Sequence, residues 1–173
     1  MKLKFFGILF LMLMGTEAMA DRPYKNCGNG KAEVKAAREW LELNINEILD
    51  TPTISGLRRG EKRRLKRKLK NGLLICKGPG TKACSKDRIG VMRHPFRRKA
   101  IICYDAIRRY YSQAFCALAG TILHETAHMA GVRKGRTHNK PNGTRTDLVY
   151  KTGYAAESLC ASQGLDRAIV ERK

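Results

Sequence analysis

Acidic residues are scarce in this chain: 15 Asp and Glu stand against 35 Lys and Arg in 173 residues, a formal charge of +20. Such an imbalance concerns partners and solubility, not fold. Long apolar runs are missing too. After the first twenty residues, no segment approaches the roughly 20 apolar residues that a membrane-spanning helix needs. No CxxC spacing occurs, so the six cysteines read poorly as thiolate metal ligands. There is no internal repeat, no low-complexity tract and no linker, which leaves a single domain.

What is present begins with a segment to set aside. Lys2 and Lys4 precede an apolar run, Phe5 to Gly15, and "EAMA" ends in a small-x-small pattern. A secretory signal over residues 1–20 is expected, cut after Ala20, with the domain spanning 21–173 and the product secreted, extracellular or periplasmic. Removing two lysines and one glutamate takes the charge from +20 to +19. Cys27, Cys76, Cys84, Cys103, Cys116 and Cys160 all lie beyond that cut. An even number in an exported chain favours three disulfides. Cys76 and Cys84, bracketing the turn-rich "KGPGTKA", are the first pair to expect.

Periodicity divides the rest. Val34, Ala37, Leu41, Ile45 and Ile48 recur at helical spacing, so Lys31 to Leu49 is expected to be a helix. Leu57 to Leu74 reads as another, with leucines at 57, 65, 69 and 73 and nine basic residues between Arg58 and Lys70. Cys76 to Phe96 reads as a long loop or a loop with short strands, and "KAIICYD", Lys99 to Asp105, as the best strand. A helix is expected from Ser112 to Ala130, ended by Gly131. A polar loop follows, then a helical stretch that includes Tyr154 to Ser162 and a short one after Gly164.

The chemistry gathers in "TILHETAHMAGV". Residues four apart on a helix lie one turn above each other, so His124 and His128 aim at a common point. Glu125 is rotated by about 100°, within reach of water at that point but badly placed as a third ligand. This is the HExxH logic of zinc hydrolases: two imidazoles hold Zn2+, and the glutamate acts as general base. The longer HExxHxxGxxH motif fails, because position 134 is Lys134. His138, in the following loop, and Glu157, on a later helix, remain open as third ligands.

"GTRTDLVY", Gly143 to Tyr150, taken with "AGTILHETAH", resembles the aspzincin metallopeptidases, the deuterolysin and lysine-specific metalloendopeptidase family. Gly143, Thr144, Asp147 and Tyr150 match that family's GTxxDxxYG segment, and position 151 is Lys151 where the segment closes on glycine. The likeness covers Ile101 to Leu159. It implies a zincin-like, α+β, mainly helical single catalytic domain with a small sheet. It also implies Asp147 as third zinc ligand beside His124 and His128, and Tyr150 as the oxyanion donor. Glu157 stands where lysine-selective members carry a substrate-binding acid, and it keeps two further readings, third ligand or exposed helix residue.

The expected activity is therefore that of a secreted zinc metalloendopeptidase, monomeric and acting on peptide or protein substrates. The Lys99–Tyr104 strand is expected to edge its cleft and pair with extended substrate. The basic stretch Arg58–Lys70 lacks interleaved aromatics, which argues against specific nucleic-acid binding and leaves a solvated face or an anionic surface as its partner. The rival from a different class is a cationic binding or toxin-like module whose HExxH helix is inert.

Overall fold

The computed structural model describes residues 24–78, 80–84, 89–91, 99–111, 114–133 and 147–165. In chain order these form β1 (Tyr24–Lys25), α1 (Lys31–Asp50), α2 (Arg59–Asn71), β2 (Leu73–Cys76), β3 (Gly90–Val91), β4 (Lys99–Ile102), α3 (Tyr104–Tyr110), α4 (Ala114–Met129) and α5 (Leu148–Ser162). The signal expected over residues 1–20 and the short helix expected after Gly164 lie outside the described residues, apart from Leu165.

Helix α4 is the axis of the molecule. Thirteen of its 16 residues are buried, the mark of a helix enclosed on all sides. Helices α1, α2, α3 and α5 and strands β3 and β4 all pack on it. Helix α1 buries the stripe that its spacing announced, Val34, Ala37, Leu41, Ile45 and Ile48. It also buries Arg38, which donates to the Gly72 carbonyl (2.9 Å), pairs with Glu42 (3.3 Å) and lies 5.6 Å from the centre of the Tyr24 ring. These contacts give the buried guanidinium one hydrogen bond and one ion pair, which offset part of the cost of burying its charge.

The sheet has the order β1-β2-β4-β3, with β1, β2 and β4 parallel and β3 antiparallel on the edge. Three expectations are corrected. The helix over Leu57–Leu74 stops at Asn71, and Leu73 and Leu74 open β2 instead. Strand β4 is interior rather than at the edge of a cleft, because β3 pairs along its outer side. The strand expected over Lys99–Asp105 also ends early, at Ile102, and α3 begins at Tyr104. There the Tyr104 hydroxyl donates to Glu33; burial, then that carboxylate, pushes the phenol well above its usual range.

Three disulfides staple the fold: Cys27–Cys76, Cys84–Cys103 and Cys116–Cys160. The expected Cys76–Cys84 pair does not form, and strand register explains why. Lys25 lies opposite Ile75, so the chain leaving β1 delivers Cys27 beside Cys76. Cys84 meets Cys103 at the end of β4. No helix among the described residues is long and apolar enough to cross a membrane.

Candidate functional site

Helix α4 ends where its sequence says it should. Gly131 adopts φ +68°, a left-handed conformation that costs glycine little. Its N–H reaches the His128 carbonyl (3.0 Å) and that of Val132 reaches Ala127 (3.0 Å), a Schellman closure. Arg64 of α2 adds Nε to the Ala130 carbonyl (2.9 Å), placing positive charge at the helix C-terminus. Arg133 pairs with the buried Glu61 (3.5 Å), whose other oxygen accepts the Arg58 N–H (2.8 Å). The last turn of α4, which carries His128, is thereby tied to α2.

On α4, the His124 and His128 rings meet edge to face with centroids 4.9 Å apart. Glu125 and His128 are buried and His124 is half-buried. A cleft of 510 Å³ opens over this face, lined among others by Gly90, Tyr111, His124, Glu125, Tyr150 and Glu157. The predicted residues His124, Glu125, Tyr150 and Glu157 therefore share one cavity. Tyr150 lies against His124 with ring centroids 4.6 Å apart and stacks on Tyr154 at 6.2 Å.

Asp147 takes a position that the motif did not announce. It is the N-cap of α5, its Oδ1 accepting the Tyr150 N–H at 2.9 Å, which satisfies one of the open donors of a first helical turn. Helix α5 runs from Leu148 to Ser162 and so includes the expected helical stretch Tyr154 to Ser162. Among the described residues no three His, Cys, Asp or Glu side chains form a metal-binding cluster. The structure brings His124 and His128 together but does not display Asp147 or Glu157 as a third member. His138, Gly143 and Thr144 lie outside the described residues.

Glycines build the site, a role that no motif in the sequence announces. A Cβ on Gly120 would lie 3.0 Å from the Gly153 carbonyl, and one on Gly153 would lie 3.0 Å from the Gly120 carbonyl and 3.2 Å from His124 Cβ. The two backbones touch because neither residue has a side chain. A Cβ on Gly90, in β3, would fall 2.6 Å from Glu125 Oε1. An isolated glycine within a helical pattern is the available signal, since it costs roughly 1 kcal/mol against alanine unless close packing requires it. Tyr111 also lines the cleft; burial, then Glu157 and Tyr154, raise its pKa, so it keeps its proton at neutral pH. No protein-family model, no curated protein and no solved structure matches this chain.

Proposed function

We propose that this chain is a zinc-dependent endopeptidase of the HExxH class, secreted after removal of its signal. One observation carries the reading: two imidazoles one turn apart face each other on a buried helix, and the acid between them lines the same cleft as the first of them. Two neutral imidazoles with a carboxylate are a donor set that zinc accepts, with a fourth position left open. When bound, zinc supplies Lewis-acid polarisation and makes water nucleophilic near neutral pH.

The α4–α5 seam supports Asp147 as the third ligand. Cys116 meets Cys160, Gly120 meets Gly153, and His124 meets Tyr150. Each turn forward on α4 is matched by a step back on α5. One further turn reaches His128, and the matching step back reaches Asp147. Glu157 belongs elsewhere in this register, since its Cβ would lie 3.2 Å from a Cβ on Gly120, one turn before His124. That level suits an acid that holds a basic side chain of the substrate.

In the reaction Glu125 takes a proton from the attacking water and passes it to the departing amine nitrogen. The Tyr150 hydroxyl donates to the oxygen that gains negative charge, an interaction worth a few kcal/mol, roughly 3, when aimed in advance. Strand β3, two residues long and antiparallel, walls the cleft beside Glu125 and offers backbone groups to an extended peptide. This is the edge role first expected of the Lys99–Tyr104 strand.

Purified protein is expected to hold about one zinc per chain. Hydrolysis of a denatured protein should vanish in chelator and return with added zinc. Asp147→Ala should lose the metal, whereas Glu157→Ala should retain it. Full hydrolysis in chelator would overturn the assignment. Gly90→Ala tests the wall: the new methyl must displace the Glu125 carboxylate, and a misplacement near 1 Å costs on the order of 10²-fold in rate. The expected result is a fall of that order in kcat with zinc content unchanged, read by steady-state kinetics and metal analysis.

A further inference from the structure

Helix α2 divides cleanly into two faces. Glu61, Leu65 and Leu69 are buried against the body of the protein. At 100° per residue, Arg59, Arg63, Lys66, Arg67 and Lys70 fall within an arc of about 100° on the opposite side. All five are exposed. Lys66 reaches Asn46 of α1, but no carboxylate among the described residues pairs with Arg59, Arg63, Arg67 or Lys70. From Arg59 to Lys70 this makes a straight cationic rail about 16 Å long.

Beside the rail stands an aliphatic side chain out of place. Leu43 of α1 is 83% exposed, whereas the other large exposed apolar residues among those described, Tyr111 and Tyr154, line the cleft. Helices α1 and α2 run antiparallel where they meet, as the contacts Asp50 to Lys62, Asn46 to Lys66 and Arg38 to the Gly72 carbonyl show. That register sets Leu43 level with the last turn of α2.

We infer that this face, the α2 rail with Leu43 beside it, docks the protein on an anionic phospholipid surface. The rail's charges complement a plane of negatively charged headgroups, where each Lys or Arg near the surface strengthens binding roughly fivefold. Leu43 offers one aliphatic contact to the acyl boundary. The leucines of α2 are already engaged in the core, so the helix lies on the surface without inserting. Single-stranded nucleic acid would call for aromatic platforms among the charges, and α2 has none. The inference is independent of the hydrolytic reading.

The test uses purified mature protein and sedimentation with vesicles of phosphatidylglycerol mixed into phosphatidylcholine. Binding is expected to the mixed vesicles and not to pure phosphatidylcholine, and to weaken steeply between 0.05 and 0.5 M salt, as the Debye length shrinks to a few ångströms, about 4 Å. The triple variant Arg59→Gln, Arg63→Gln, Arg67→Gln should bind roughly a hundredfold more weakly. Arginine and glutamine have similar helix propensity, so its thermal midpoint should not move. Leu43→Ser should weaken binding roughly threefold to tenfold while leaving the salt dependence intact. Glu125→Gln should bind like the parent, which separates docking from hydrolysis. Undiminished binding by the triple variant would overturn the inference. So would a duplex oligonucleotide binding as tightly as the vesicles at equal salt.

Discussion

Replacing Glu125 with glutamine is expected to lower kcat by about 10² to 10⁴, the range a positioned general base contributes, while zinc content and thermal midpoint stay near the parent's. Glutamine keeps the shape of the side chain, so its packing against Gly90 persists. What disappears is the ability to take a proton. Glu125 is rotated about 100° from His124 and is not one of the proposed ligands, so the metal should remain. The measurement is a single-turnover assay on a denatured substrate, run beside metal analysis. Loss of zinc together with activity would instead make Glu125 a ligand. Unchanged activity with zinc retained would remove it from the mechanism.

The second large effect concerns the α4–α5 seam. Cys116 and Cys160 are 44 residues apart in sequence, and closing a loop of that size constrains the unfolded chain by ~4 kcal/mol on the chain-entropy account. The Cys116→Ala, Cys160→Ala double variant should therefore melt roughly 10 °C lower, at about 2–4 °C per kcal/mol for a domain near this size. Cys27–Cys76 spans 49 residues, and its removal should cost about the same stability on the same account. The two staples differ in what they hold. Only Cys116–Cys160 fixes the register that sets Tyr150 against His124. Well below both melting points, the first variant should lose about tenfold in kcat, because small misplacements of reacting groups are costly. The second should keep the parent's rate. Calorimetry paired with kinetics at 20 °C or so decides it, and equal rates in the two variants would separate the seam from catalysis.

Local pattern made much of this molecule legible. The α1 stripe ran to within one residue of its expected end, because an apolar face at helical spacing is a property of neighbours in sequence. The same holds for Gly131, whose left-handed turn closes α4. Misreadings arose wherever distant segments decide. Cys76 was matched to the nearest cysteine, whereas parallel pairing of β1 with β2 delivers Cys27 to it. Leu73 continues a four-residue leucine spacing, yet it and Leu74 sit in β2, since the sheet claims them after Gly72. The run after β4 looked like more strand but turns into α3, anchored by Tyr104 against Glu33. In the site, HExxH was visible as spacing, and the cleft residues His124, Glu125, Tyr150 and Glu157 were all legible in the sequence. The glycines that let α5 approach α4 were not, because their purpose appears only once two backbones are seen to touch.

The Cys84–Cys103 bond carries a consequence for timing. Cys103 donates its N–H to Ile89, the residue before the β3 wall, so this crosslink steadies one side of the cleft as Cys116–Cys160 steadies the other. A newly made chain in a thiol-rich cytosol has neither clasp. On the proposed reading, the chain would reach its full rate only once oxidation after export locks both flanks.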